Sequence, residues 1–260
     1  MGIRDSHTVI EIVNDDMPFL LDSVSAVIAR RGLGVHLVAH PVLRVRRTSD
    51  GCWAGIAENG DGGAKAESFI HIMIDEQHDA EKLKNIRDHL AAVLADVRAA
   101  VSDWRGMLAQ IDTSIADIRQ SKVPIAVEEV DESIAFLEWM RDNHFTLLGC
   151  AELALTGKGD AVSAVQLPES GLGVLRNPDV KLFRSRSDGL VAISPEILES
   201  LQRPGPLIIT KTDVRSSVHR DTHMDYVGVK RYGADGKVTG ERRFVGLFTS
   251  GAYSLSLIHI

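Results

Sequence analysis

Residues 8–21, TVIEIVNDDMPFLL, decide how the chain begins to fold. The first six are rich in β-branched side chains, which favour a strand. Polar residues and a proline follow at positions 14–18, a combination that stops a strand and opens a helix. From Leu20 to Ile28 apolar residues recur at steps of three and four, which predicts an amphipathic helix that ends near Gly32.

Downstream residues continue the alternation of strand and helix. Apolar and polar residues alternate from Val35 to Val45, which predicts a strand with one buried face, and Pro41 places it at an edge or a bulge. Residues 68–75 predict a further strand, and residues 79–120 keep the helical period as one long helix or two. This order predicts a small antiparallel or mixed sheet with helices on one face. The expected core consists of Ile10, Ile12, Leu20, Val24, Ile28, Leu37, Ile72, Leu83, Ile86 and Leu90.

A change of pattern near Pro124 predicts a boundary between two domains. Beyond a short helix at 131–144 the chain becomes rich in strands, at 145–155, 163–167, 190–194, 206–212, 225–232 and 242–248. The expected domains are therefore 1–122 and 123–254, within an α+β fold. An apolar stripe next to this boundary is either ordinary core or a surface for association; it consists of Trp104, Leu108, Ile111, Ile115 and Ile118.

Composition narrows the classes of function. The 260 residues carry a formal net charge of −7, which gives no general attraction to nucleic acid or to anionic lipid. No apolar run approaches the roughly 20 residues that cross a bilayer. The two cysteines, Cys52 and Cys150, form no metal-binding or disulfide pattern, which fits a reducing cytoplasm.

Motifs for chemistry are few. Gly32-Leu33-Gly34 and Gly171-Leu172-Gly173 are not completed to a dinucleotide-binding pattern, so no cofactor site is expected in this chain. His219 and His223 have the spacing of metal ligands on a helix, but strand-like sequence surrounds them, so no metal is predicted.

Other polar residues have simple structural explanations. His36, His40 and His71 fall on strand positions and are expected to be half-exposed, without an obvious carboxylate partner. Arg44, Arg46 and Arg47 are expected to form a solvated strand face, with an anion site as the alternative.

The first turn is the candidate binding site, through Asn14, Asp15, Asp16 and Pro18. A strand-to-helix turn exposes backbone N–H groups that can hold a carboxylate, while Asn14 and the aspartates could hold an ammonium group. The structural alternative, favoured here, is that Asp16 caps the helix and Pro18 occupies its first turn.

Four separated blocks carry a resemblance to the large, NAD-specific bacterial glutamate dehydrogenases. They are residues 8–24 (TVIEIVNDDMPFLLDSV), 32–47 (GLGVHLVAHPVLRVRR), 135–153 (AFLEWMRDNHFTLLGCAEL) and the stretch 211–250 that contains DYVGVKRYGADGKVTGERRFVGLFTS. The resemblance implies an ACT-like βαββαβ-type module with a long C-terminal helix, then a PAS-like antiparallel-sheet module. It also implies a parent enzyme that deaminates L-glutamate to 2-oxoglutarate with NAD.

The resemblance places this chain upstream of the catalytic domain, so no catalytic residue is expected in it. The expected role is regulation and assembly, with the rest of the parent chain and other subunits of a homo-oligomer as partners and a small-molecule effector as a further one. The alternative is a stand-alone amino-acid sensor. Phe19 replaces the glycine that usually follows the proline of this turn in amino-acid-binding ACT modules, which narrows the room for a ligand. Residues 255–260 do not resemble the family and are expected to be a non-native tail.

Overall fold

A computed structural model describes residues 6–57, 62–121, 123, 125–156, 163–177, 180–184, 190–191 and 195–249. The expected tail at 255–260 lies outside the described residues. The chain divides into two compact units, and the first is discontinuous in sequence. It comprises Met1–Val97 together with Ser217–Asp221, whereas the second comprises Arg98–Ser216 and Thr222–Ile260.

The described elements confirm an α+β fold. In chain order they are β1 (His7–Asp15), α1 (Leu20–Arg30), β2 (Val35–Ala39), β3 (Val42–Arg47), β4 (Trp53–Ile56), β5 (Lys65–Asp75), α2 (Ala80–Gln120), α3 (Val127–Trp139), a π-helical turn (Met140–His144), β6 (Phe145–Thr156), β7 (Ser163–Gln166), β8 (Leu172–Gly173), β9 (Phe183–Arg184), β10 (Leu190–Val191), α4 (Pro195–Gln202), β11 (Leu207–Arg215), β12 (His223–Tyr232) and β13 (Val238–Phe248).

The sheet of the first unit is built around β5. This strand pairs antiparallel with β1 along its whole length and with β2 and β3, and β4 adds to β3. The single strand expected from Val35 to Val45 is divided at Pro41, whose missing N–H interrupts a ladder. The carbonyl of Pro41 nevertheless accepts a hydrogen bond from the N–H of Phe69, so both halves follow β5.

The core of the first unit lies between this sheet and the helices. Ile70, Ile72 and Ile74 alternate along β5 and are fully buried, as period-two burial requires. Six of the ten expected core residues are buried: Leu20, Val24, Ile28, Ile72, Ile86 and Leu90. Leu37 and Leu83 are exposed, so their placement in the core was wrong, because every residue of β2 is exposed and Leu83 lies in the exposed first turns of α2. Ile10 and Ile12 are half-buried because β1 is an edge strand.

The helical period from residue 79 onward forms one continuous helix of 41 residues, α2. Its residues up to Val97 belong to the first unit and those from Arg98 to the second. The described residues of the first unit contain no strand after α2, so the last strand of the expected βαββαβ order is missing there. The helix continues where that order would place a turn and a strand.

The second unit has an antiparallel sheet in the order β11-β12-β13-β6-β7, with β8 also paired to β6. Helix α3 and residues of α2 from Met107 onward pack against one face of it, around Leu137, Val227 and Phe244. Ile111, Ile115 and Ile118 belong to this core, and Leu108 packs against it, so four of the five stripe residues are ordinary core. Trp104 is 44% exposed.

Several short elements were not expected from the sequence. They are β8, β9 and helix α4. The helix expected at 131–144 begins earlier, at Val127, and its last five residues form the π-helical turn. A tight turn joins the paired strands β12 and β13, and in it the N–H of Gly236 donates to the carbonyl of Gly233. Among the described residues, no helix combines the length and the apolar composition needed to cross a bilayer.

Candidate functional site at the first turn

The first turn joins β1 to α1 and contains the predicted site residues. Asn14 and Asp15 are the last residues of β1, and the Asn14 side-chain amide donates to the carbonyl of Asp15 (2.9 Å). The backbone N–H of Asp16 donates to the carbonyl of Ala66 (3.0 Å). Pro18 is exposed just before the helix. The four residues therefore occupy the end of the edge strand β1 and the turn that follows it.

Asp16 does not cap the helix, so that structural interpretation was wrong. Its carboxylate accepts a hydrogen bond from the Ser68 hydroxyl (2.6 Å), which ties it to β5. The N-cap residue of α1 is Phe19, which provides no side-chain cap. The pairing register of β1 with β5 explains why Asp16 bonds to Ser68 and not to the helix. Asn14 stands opposite Ser68 in this register, so the residues that follow Asn14 lie close to β5.

Phe19 has a left-handed backbone, with φ of 72°. This conformation is costly for a bulky side chain and natural for glycine. Phenylalanine therefore stands at a position whose backbone conformation favours glycine. Its carbonyl accepts hydrogen bonds from the backbone N–H (3.0 Å) and the hydroxyl (2.6 Å) of Ser23, which closes the first turn of α1.

The segment Ser217–Asp221, here named the strap, completes this site. The backbone N–H of His219 donates to the Ser23 hydroxyl oxygen (2.9 Å), and Nδ1 of its ring lies 2.9 Å from the Asp22 carboxylate. The His219 and Phe19 rings have centroids 4.9 Å apart. His219 also has a left-handed backbone, with φ of 65°. No local sequence pattern indicated the role of Ser23, since its partner His219 lies almost 200 positions away.

His219 and His223, which have metal-ligand spacing, have separate partners. Nδ1 of His223 lies 3.0 Å from the carbonyl of Thr212 on the neighbouring strand β11, whereas His219 contacts Asp22. Within the part of the chain that the structure describes, no group of three or more metal-ligating side chains comes together.

Two of the strand histidines of the first unit, His36 and His71, have carboxylate partners that the sequence did not reveal. His36 contacts Asp75 (2.8 Å), a residue that also accepts the N–H of Gly34. The Gly34 N–H and His36 together hold the pKa of Asp75 below its usual range. His71 contacts Glu11 across the paired strands β1 and β5 (3.3 Å). Both side chains are partly exposed, as expected, and each has a carboxylate partner that no local sequence pattern indicated.

Arg47 forms a two-pronged ion pair with Glu67, at 2.6 and 2.7 Å. The Glu67 side chain is 5% exposed, and the hydrogen bonds from Arg47 lower its pKa. Arg47 is thus engaged within the sheet rather than part of a purely solvated face.

The second unit encloses charged groups on the sheet face opposite α2 and α3. Lys230 stands opposite Glu241 and Gly228 opposite Arg243 in the β12–β13 ladder, and the three charged side chains are at most 2% exposed. A methyl group at Gly228 would collide with Oε1 of Glu241, so the glycine makes room for this carboxylate.

Burial dominates the electrostatics of this enclosed group. It raises the pKa of Glu241 to about 7 and lowers the pKa of Lys230 to about 8. The ammonium of Lys230 donates to the carbonyl of Arg203 (2.6 Å), and Arg243 donates to the side chain of Gln166 (2.6 Å). Tyr226 faces Glu241, yet within the described residues neither the hydroxyl nor the carboxylate has a partner at regular hydrogen-bond geometry.

Comparison with known proteins defines the class of the first unit and then the family. Residues 1–90 match the family model "Glutamate dehydrogenase, ACT1 domain". The N-terminal part of the chain is therefore similar to the ACT1 domain of glutamate dehydrogenases.

Longer matches extend this relation to nearly the whole chain. The chain is 33% identical to the NAD-specific glutamate dehydrogenases of Pseudomonas aeruginosa and Halomonas elongata, over 98% of its own length. It is 24% identical to the enzyme of the same name from Mycobacterium tuberculosis, over 96% of its length. The chain corresponds to an N-terminal region of the NAD-specific glutamate dehydrogenases, and it spans about 16% of the length of the first two relatives.

Proposed function

We propose that this chain is a non-catalytic regulatory and assembly region of a larger NAD-dependent glutamate dehydrogenase, which oxidatively deaminates L-glutamate to 2-oxoglutarate. The observation that carries the proposal is the unequal coverage of the match, nearly all of this chain against about one sixth of each relative. Relatives named as NAD-specific support NAD as the cofactor of the parent enzyme.

Within that region, we assign residues 1–122 to the ACT-like module and its long helix, whose part beyond Val97 belongs to the second compact unit, and residues 123–254 to the PAS-like module. The first assignment is supported by the ACT1 match at residues 1–90. Support for the second comes from an antiparallel sheet with helices packed against one face. Partners of the region are the rest of the parent chain and the other subunits of a cytoplasmic homo-oligomer.

A direct assay tests the absence of catalysis. Purified chain, mixed with L-glutamate and NAD, is expected to form no NADH above the rate of a buffer control. The reason is that none of its motifs supplies a dinucleotide-binding turn. NADH formation that rises in proportion to the concentration of pure chain would contradict the proposal.

A deletion tests the regulatory and assembly role. In a full-length relative, removal of the region that aligns with residues 1–254 is expected to change the oligomeric state in sedimentation, or the response to effectors. The glutamate and NAD sites should remain, since the proposal places them outside the matched region. An unchanged assembly together with an unchanged effector response would contradict the role.

A second candidate function is amino-acid sensing by Asn14, Asp15, Asp16 and Pro18. The observation in its favour is the position of these residues in the turn between β1 and α1, in an ACT-type module. Titration calorimetry of the chain with a panel of amino acids, repeated with Asp16→Asn, tests this candidate. Saturable heat that the substitution weakens would support sensing over a purely structural role.

A further inference from the structure

The strap contacts the end of the first turn at Phe19 and the first residues of α1. Through the Ser23 hydroxyl, a chain of hydrogen bonds runs from the His219 N–H to the carbonyl of Phe19. The imidazole of His219 lies against the Asp22 carboxylate and the Phe19 ring. The strap therefore presents an N–H donor, an imidazole and an apolar ring surface to this turn.

Both ends of the strap are anchored within the first unit. The hydroxyl of Ser217 donates to the carboxylate of Asp96 on α2 (2.7 Å). At the other end, Asp221 forms an ion pair with Arg30 at the end of α1 (2.6 Å), with both side chains 28% exposed. Between them, Val218 is 1% exposed. The strap thus crosses from one helix to the other with an apolar side chain buried at its centre.

Ser23 links the strap to Phe19, the residue with the left-handed backbone. Its side chain is fully buried and bonded on both sides, to Phe19 and to His219. Loss of the strap would leave the Ser23 oxygen without its backbone donor and would remove the ring that covers Phe19. Because a left-handed phenylalanine persists only when its surroundings hold it, the strap stabilises this conformation.

We infer that the strap is a built-in occupant of the first turn, which holds Phe19 in its left-handed conformation and closes this position to free amino acids. The occupant is a segment of the same chain, so its local concentration is high and fixed. An external ligand must displace the contacts of Ser217, His219 and Asp221 together, which disfavours binding at ordinary metabolite concentrations.

Hydrogen exchange followed by mass spectrometry on the whole chain tests this inference. In the wild type, peptides that contain 217–221 and 19–23 are expected to exchange at least about tenfold more slowly than unstructured peptides of the same sequence. Ser23→Ala is expected to accelerate exchange in both peptides, while a β5 peptide within 68–75 stays unchanged. Ser133→Ala is the matched control, since this serine makes the same hydroxyl bond to a carbonyl four residues earlier on α3 without a strap.

A second variant separates loss of the strap from loss of folding. His219→Gly removes the imidazole but accepts the left-handed backbone, so it tests the ring contacts without new strain. It is expected to accelerate exchange at 19–23 as Ser23→Ala does. Unchanged exchange at 19–23 in both variants would overturn the inference, as would an unprotected strap in the wild type.

Titration with amino acids tests the closure itself. Four probes are used, each at about 10 mM: L-glutamate, L-serine, L-histidine and glycine. We expect none of them to change hydrogen exchange of the strap in the wild type. Acceleration of strap exchange by any of them, with saturable heat in calorimetry, would overturn closure. That same result would favour the amino-acid-sensing function and would not bear on the assembly role. Failure of the closure inference is therefore distinguishable from failure of the proposed function.

Discussion

Each unit buries a glutamate in its antiparallel sheet, but the two carboxyl groups meet different environments. In the first unit, Glu67 is paired with Arg47, and hydrogen bonds from the guanidinium lower its pKa. In the second, Glu241 lies in the interior, and burial raises its pKa to about 7. Two residues of the same type thus shift in opposite directions, which shows that a direct partner and not sheet position decides which protonation state the fold favours.

The largest expected effect is on stability, through the apolar core that each unit has of its own. Ile72 and Ile111 are both fully buried, the first on β5 and the second on α2. Ile72→Ala and Ile111→Ala are each expected to lower the free energy of unfolding by about 2–5 kcal/mol, because each leaves a cavity. Denaturant titration measures this cost. Leu37→Ala is the control, since Leu37 is 48% exposed and its change should cost less than about 0.5 kcal/mol.

A small cost at Ile111 would restore the apolar stripe as a surface for association. Sedimentation of Ile111→Lys distinguishes the two cases. A buried site predicts an unfolded chain, whereas a surface site predicts a folded chain with less self-association.

The pH dependence set by Glu241 is the second effect. A carboxyl whose folded pKa is raised stabilises the fold at pH values below its ordinary pKa, and this contribution is lost as pH rises through about 7. Glu241→Gln removes the ionisation. Relative to the wild type, the variant is therefore expected to gain roughly 1–3 kcal/mol between pH 5 and pH 8.

Denaturant titrations at several pH values measure that gain. The window ends at pH 8 because the lowered pKa of Lys230, about 8, adds a further pH dependence above it. A difference between variant and wild type that stays constant from pH 5 to pH 8 would contradict the buried, protonated state of Glu241.

The smallest effect is expected at Glu67, with the opposite sign. A carboxyl whose folded pKa is lowered stabilises the fold above its ordinary pKa, and this contribution is lost as pH falls through the folded pKa. Glu67→Gln is therefore expected to be less stable than the wild type at pH 6, and the difference should shrink as pH falls toward 3. Thermal unfolding at several pH values measures this. Arg47→Gln should show the same trend, and a difference that grows on acidification would contradict the pairing.

Local periodicity was enough to predict the main elements of the first unit. The β-branched run before residue 14 forms β1, and the steps of three and four from Leu20 to Ile28 lie within α1. The long helical period forms α2. These patterns arise from side chains that share one face, and such faces are visible in the order of residues alone.

Exposure and distant contacts could not be predicted in this way. Leu37 alternates as a buried strand residue should, but β2 as a whole is exposed, and alternation does not reveal whether anything covers a face. Glu241 stands in a polar stretch that favours solvent, yet it is fully buried. The first turn was recognised as a candidate site, whereas His219 was not, because no local pattern records a contact between positions 23 and 219.

The discontinuity of the first unit has a consequence for synthesis of the chain. Residues up to Val97 leave the ribosome first, and Ser217–Asp221 follow only after the intervening 98–216 have been translated. At ordinary rates of elongation this interval lasts about 6 to 24 s. During it, Ser23 and Phe19 lack their partner on the strap, so the nascent first unit stays incomplete until much of the second has been made. A pulse-chase experiment with protease should therefore find the α1 region sensitive to cleavage in shorter nascent chains and resistant in those that extend beyond Asp221.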